Sequence, residues 1–197
     1  MAKVKNTEET KSSGEETKNL LSSLLSGYKD DHYNFIDDNP IRVSTGSLIL
    51  DQQVSLTEGV HRFCGFTGAG KSSESYLIMK NFLEQSKKHK GFLIKAEGRL
   101  SDNIKTRSGV KFVYKAEDWE YGTCFVLESN MMEPICAMID SLLKTCHEKD
   151  ERLCIIIDSV DGLRLKSDDK KEIGDVKVAG PQLLMKRFLV RMALPLQ

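Results

Sequence analysis

Apolar positions along the chain change their period several times, and each change marks an element. Leu20, Leu21, Leu24 and Leu25, with Tyr28 beyond, fall on one stripe at helical spacing, so Glu15 to Ser26 reads as a short amphipathic helix stopped by Gly27. Residues 1–13 are polar, mixed in charge and without period, which predicts a disordered tail. Asp30 to Asp38 is an acidic linker closed by Pro40. Beyond it, strand-like and helix-like patterns alternate. Val60 to Gly65 reads as a strand and Ser73 to Gln85 as a helix. Gly91 to Ala96 reads as a strand, Ser101 to Arg107 as a short helix, Phe112 to Tyr114 as a minor strand and Cys124 to Leu127 as a full one. Met131 to Thr145 carries Met131, Met132, Ile135, Met138, Ile139, Leu142 and Leu143 at helical spacing, which predicts a helix with Met131, Met132 and Met138 in the core. Arg152 to Asp158 is a continuous apolar run, the pattern of a strand buried on both faces. Pro181 to Ala193 is a helix with proline in its first turn.

Strands alternating with helices predict an α/β fold, a mainly parallel sheet covered by helices on both faces. Ligands in such sheets bind at the carboxyl ends of the strands. Two regions follow: residues 1–40, comprising tail, helix and linker, and residues 41–197, the main domain.

Composition narrows the classes. The chain has 197 residues, 40% hydrophobic, with 29 basic and 29 acidic side chains, so its net charge is zero and a polycation is excluded. No apolar run approaches the roughly 18 residues of a membrane span, and the first residues lack the apolar core of a signal peptide. The five cysteines, Cys64, Cys124, Cys136, Cys146 and Cys154, are odd in number and without CxxC spacing. Four lie in apolar stretches, which predicts core thiols, a reducing cytoplasmic compartment, no disulfide frame and no zinc site. The four histidines show no metal spacing, and Trp119, in a charged stretch, reads as an exposed hairpin anchor.

Gly65-Phe66-Thr67-Gly68-Ala69-Gly70-Lys71-Ser72 matches G-x-x-x-x-G-K-[ST] in full, after a predicted strand and ahead of a predicted helix. Its glycines let the backbone aim N–H groups at phosphate oxygens, and the helix N-terminus that takes in Ser73 adds a positive partial charge. Lys71 is the candidate for the β- and γ-phosphates, and the Ser72 hydroxyl for Mg²⁺. Leu153 to Asp158 ends an apolar strand in an aspartate, and Asp158 is the second candidate for Mg²⁺. Glu97, at the end of another strand, is a candidate base for the attacking water. From Arg164 to Arg191 eight basic residues face four acidic ones, a local charge of +4 suited to a polyanion.

These residues together resemble the ATPase core of bacterial RecA recombinases. Val43-Ser-Thr-Gly-Ser-Leu-Ile-Leu-Asp51 looks like the entry to that core. Lys95-Ala-Glu97 is similar to the strand ending in the family's catalytic glutamate, and Ile157-Asp-Ser-Val-Asp161 to its Walker B segment. Glu172-Ile-Gly-Asp175 matches its first mobile DNA-binding loop. The phage UvsX branch is the nearer in feel, and residues 42–194 carry the likeness.

The resemblance implies a three-layer RecA-like phosphate-loop core and an ATP- and Mg²⁺-dependent recombinase, in the host cytoplasm if phage-encoded. Such a protein forms a helical homo-oligomeric filament on single-stranded DNA and exchanges strands with a homologous duplex. It implies Glu97 and Lys71 in catalysis, residues 65–73 on the nucleotide, and Ser72 and Asp158 on the metal. Lys170, Lys171, Gly174, Lys177, Val178, Lys186 and Arg187 would meet DNA, Val178 as a wedge between bases. The helix from Glu15 takes the place of the family's oligomerisation helix. Ile104 stands where the family stacks a tyrosine on adenine. The chain ends at Gln197, ahead of the family's γ-phosphate-sensing strand. A fragment, or a reduced relative completed by a partner chain, is therefore expected, and mediator proteins are possible further partners.

Two other readings remain open. One is a nucleotide-gated DNA-binding or filament-joining module without turnover. The other is a phosphate-loop small-molecule kinase, which calls for an arginine-rich lid. Here the basic residues cluster after the Asp158 strand instead.

Overall fold

A computed structural model describes residues 18–24, 26, 41–167 and 180–192. The chain divides into two units, Met1–Asp38 and Asn39–Gln197. In the first, residues 18–24 and 26 are helical (α1), and Leu20, Leu21 and Leu24 are exposed. The tail at 1–13 and the linker at 30–38 lie outside the described residues.

The second unit is α/β. Its helices are α2 (Leu48–Gln53), α3 (Lys71–Gln85), α4 (Asp102–Ser108), α5 (Met132–Glu148) and α6 (Gly180–Met192). Its strands are β1 (His89–Lys95), β2 (Phe112–Val113), β3 (Cys124–Glu128) and β4 (Arg152–Asp158). They form one sheet in the order β2-β3-β1-β4, and every pairing is parallel. Local chemistry sets several boundaries. Ser47 and Ser101 cap α2 and α4 by accepting from Leu50 and Ile104 N–H. Gly109, at φ 70°, closes α4 in the left-handed conformation that ends many helices.

Strand alternation divides the core into two layers. Leu93, Cys124, Val126, Cys154 and Ile156 meet Tyr76, Met79, Phe82 and Leu83 of α3. Phe92, Ile94, Leu127, Ile155 and Ile157 point the other way, onto Met132, Ile135 and Ile139 of α5 and Met185 of α6. The sheet therefore lies between α3 on one face and α5 with α6 on the other. Burial of this kind stabilises by roughly 1.5–3 kcal/mol for each large apolar side chain.

Four sequence expectations need correction. Val60 to Gly65 joins no ladder and is exposed throughout, so Cys64 is an exposed thiol rather than a core one. A strand exists only through a paired neighbour, and among the described residues the sheet ends at β4. For the same reason β4 is an edge strand: Leu153 to Asp158 are half-buried rather than enclosed. Trp119 is no exposed anchor. Its ring packs at 6.0 Å from Phe92 and 6.2 Å from Phe125, and its Nε1 donates to the Gly91 carbonyl at 2.9 Å. Met138 is 39% exposed, because the buried stripe of α5 runs through Met132, Ile135, Ile139 and Cys146 and leaves it on the flank.

His89 has a structural place. It is buried, its ring stacks on Phe82 at 4.2 Å, and its Nδ1 lies 2.6 Å from the Phe82 carbonyl. Among the described residues, no helix is long and apolar enough to cross a membrane.

Candidate phosphate-binding site

The carboxyl ends of β1 and β4 meet the amino end of α3, and the candidate residues gather at that junction. The loop entering α3 turns tightly, with Ala69 N–H donating to the Phe66 carbonyl at 3.2 Å. Gly68 and Gly70 have φ of 80° and 85°, a region a side chain enters at a cost of roughly 1–2 kcal/mol. Gly70 is also the N-cap of α3 and carries no capping side chain. The first-turn N–H groups of that helix point out of its end, together with the positive pole of its dipole.

Lys71 opens the helix and reaches back across the loop. Its Nζ donates to the Gly65 and Phe66 carbonyls, both at 2.8 Å. The lysine thus ties the loop into a closed ring and holds a positive charge inside it. Phe66 stands 92% exposed at the tip. The next residue, Ser72, donates from Oγ to Asp158 Oδ1 at 3.2 Å, across 86 positions of sequence.

Asp158 has three donors. Besides Ser72, the Tyr76 hydroxyl donates to its Oδ2 at 2.8 Å and Lys95 Nζ to the same oxygen at 2.7 Å. Burial works to raise the carboxyl's pKa; the bonds from Lys95 and Tyr76, the Lys95 charge and the Ser72 bond outweigh it and hold Asp158 below the usual range. Tyr76 responds in the opposite sense: burial, then the bond to Asp158, pushes its phenol far up, so it stays a donor.

Glu97 lies two residues past β1. It is exposed, and the Ala96 N–H bonds the Asp158 carbonyl at 2.9 Å, so the tips of β1 and β4 are stitched together just before it. Its side chain lies over Gly162, in the single helical turn after β4; a β-carbon there would overlap Glu97 Cγ. Among the described residues no hydrogen bond holds its carboxylate.

Other candidates are placed as follows. Gly65, Thr67, Ala69 and Ser73 are exposed along the loop and helix start. Lys186 and Arg187 are exposed on α6. Lys170, Lys171, Gly174, Lys177 and Val178 lie outside the described residues, as does Glu172 to Asp175.

The donor set fits Mg²⁺. A hydroxyl and a carboxylate suit an ion that keeps several waters and takes the rest of its shell from phosphate oxygens. No cluster of three histidine, cysteine or carboxylate side chains that could cage a metal occurs among the described residues.

Two side chains that bond Asp158 carry no role in the motifs: Lys95, which enters only as the first residue of Lys95-Ala-Glu97, and Tyr76. The signal for Lys95 was there, because a lysine that closes the apolar run of β1, next to a predicted carboxylate-bearing strand, invites an ionic partner. Its Cα partner across the ladder is Asp158 itself.

No protein-family model and no curated protein matches this chain.

Proposed function

We propose that this chain binds ATP with Mg²⁺ through residues 65–73, hydrolyses it, and couples the cycle to single-stranded DNA as a RecA-like recombinase in a cytoplasmic filament. The observation that carries the nucleotide part is the contact of Ser72 with Asp158 at 3.2 Å. It joins the phosphate-loop serine, next to Lys71, to a strand-end carboxylate, the pair that holds Mg²⁺ in phosphate-loop nucleotide hydrolysis.

In this reading the loop amides and the α3 dipole receive the β- and γ-phosphate oxygens. Lys71 exchanges its two loop carbonyls for phosphate oxygens, so the charge already stored in the loop meets the ligand. Ser72 and Asp158 hold Mg²⁺, which supplies neutralisation of the phosphate charge. Glu97 takes the proton of a water that attacks the γ-phosphorus, and the bond to the bridging oxygen breaks. Lys95 keeps Asp158 ionised. Lys186 and Arg187 on α6, with the basic segment before them, meet the DNA backbone. Homologous pairing, filament growth through α1, mediators and a completing partner chain belong to the same proposal.

A module without turnover is the second reading, and the exposed Glu97 carboxylate, which no hydrogen bond holds among the described residues, favours it: a base without such a bond is poorly oriented for catalysis. Phosphate release measured with and without single-stranded DNA separates the two. Turnover stimulated by DNA and abolished in Glu97→Gln supports the recombinase reading. Tight ATP binding with no phosphate release, unchanged in Glu97→Gln, supports the module.

A further inference from the structure

Asp158 is engaged on both carboxylate oxygens. A carboxylate offers about four acceptor positions, two on each oxygen. On Oδ2 they go to the Tyr76 hydroxyl at 2.8 Å and to Lys95 Nζ at 2.7 Å. On Oδ1 one goes to the Ser72 hydroxyl at 3.2 Å. The position left over lies on the oxygen that Ser72 shares. A divalent ion held by Ser72 and Asp158 therefore meets a carboxylate whose charge a lysine already matches.

Strand register places the lysine there. Lys95 pairs across the ladders with Asp158 on one side and with Glu128 on the other. Two residues earlier on the same strands, Leu93, Ile156 and Val126 all join the layer on α3. Side chains alternate along a strand, so Lys95, Asp158 and Glu128 share that face at the strand tips. A cation thus stands between two carboxylates. Neighbouring strands are roughly 4.8 Å apart, a distance that a lysine side chain spans in either direction. Lys95 and Asp158 are largely buried, whereas Glu128 is exposed.

We propose that Lys95 competes with Mg²⁺ for Asp158 and so sets how much the metal adds to nucleotide affinity, with Glu128 as the carboxylate that receives the lysine when the metal draws on Asp158. The proposal rests on the phosphate-loop reading above and deepens it. Two cations that share one carboxylate repel each other, and each weakens the other's hold on it. In a half-buried setting, salt screens that repulsion little. A lysine with Glu128 beside it yields more readily than one without a second partner.

The test is titration calorimetry of ATP into the full chain, with excess Mg²⁺ and again with EDTA. It is run on the wild type, Lys95→Gln, Lys95→Arg and Glu128→Gln. The ratio of the two affinities is the contribution of the metal. Glutamine keeps a donor for Asp158 and removes the charge, whereas arginine keeps both. The ratio should rise by about tenfold in Lys95→Gln, the scale of one unit charge beside a divalent ion in a half-buried site. It should stay within about twofold of the wild type in Lys95→Arg, because the charge is retained. In Glu128→Gln it should fall by about threefold, the scale of one exposed ion pair. A stronger metal response is the opposite of what a merely loosened strand tip gives. Glu128→Gln, an exposed change, carries the test should Lys95→Gln fail to fold. An unchanged or smaller ratio in Lys95→Gln, an equal rise in Lys95→Arg, or an unchanged ratio in Glu128→Gln would overturn the competition and leave the phosphate loop standing. So would a wild type that binds ATP with Mg²⁺ and shows no binding with EDTA. No ATP binding by the wild type under either condition would overturn both readings.

Discussion

Lys95 Nζ lies 2.7 Å from Asp158 Oδ2, and the two residues are direct partners across the β1–β4 ladder. Both side chains are largely buried, at 15% and 18% exposure. The pair therefore does two jobs. It fixes the tip of the edge strand against the central one, and it keeps the carboxylate that faces Ser72 ionised.

Replacing Lys95 by methionine leaves Asp158 without its cation. Breaking such a pair is expected to cost about 2 kcal/mol at pH 7, between the surface and fully buried cases. The pH dependence follows from the depressed carboxyl. Its stabilisation is fully present above the unfolded value near 3.8 and is lost as pH falls through the lower folded one. The wild type should thus lose stability as pH falls below about 3.8, while Lys95→Met starts lower and falls less over the same window. Urea unfolding at about pH 7, about pH 4 and about pH 2.5, followed by Trp119 fluorescence, checks this, with the loss confined to the lowest pH. Trp119 is the single tryptophan and packs, half-buried, against the core beside Phe92 and Phe125.

Tyr76→Phe isolates one hydrogen bond. The ring is 1% exposed and packs edge-on to Phe112 at 5.9 Å, and phenylalanine keeps that packing. The loss is the 2.8 Å bond to Asp158. A destabilisation of roughly 1.5 kcal/mol is expected, with an upward shift of the Asp158 carboxyl. Denaturation midpoints measure the first, and carboxyl carbon NMR titration the second. An unchanged midpoint would mean that the hydroxyl is satisfied elsewhere.

Gly162→Ala tests where Glu97 must be. The added methyl would overlap Glu97 Cγ, and the exposed side chain can swing aside with little effect on stability. If Glu97 acts as base, turnover should fall by at least tenfold while the unfolding midpoint moves by less than about 0.5 kcal/mol. Steady-state phosphate release beside a urea curve on the same preparation gives both numbers. Unaltered turnover would remove Glu97 from the chemistry.

Gly70→Ala places a side chain at φ 85°, with open space around it. The expected loss is about 1 kcal/mol of stability from backbone strain alone. ATP affinity should fall further than that strain explains, because Gly70 sets the direction of the loop amides. Calorimetric binding beside thermal unfolding separates the two effects.

Much of this architecture was legible in the sequence, and its failures have a common cause. The α3 and α5 helices, the three principal strands and the glycine-rich turn follow from local periodicity and from residues with special backbone freedom. Val60 to Gly65 and β4 were misjudged because pairing is a non-local property. An apolar run shows that a segment can be a central strand, and says nothing of whether a neighbour lies beside it. Trp119 was misjudged because the charges around it, Glu117, Asp118 and Glu120, hid the core that Phe92 and Phe125 bring from distant strands. At the site, Lys71, Ser72 and Asp158 announce themselves by motif, whereas Lys95 and Tyr76 matter only through the ladder register and the helix turn that bring them to Asp158.

The account stands or falls on the loop between Gly65 and Ser72 as a cradle for phosphate. Titration calorimetry of ATP with Mg²⁺ into the wild-type chain and into Lys71→Ala addresses that directly. Saturable one-to-one binding in the wild type, weakened at least a hundredfold in the variant and dependent on Mg²⁺, is the predicted result. Absence of heat in the wild type, or equal affinity in the two proteins, would contradict it.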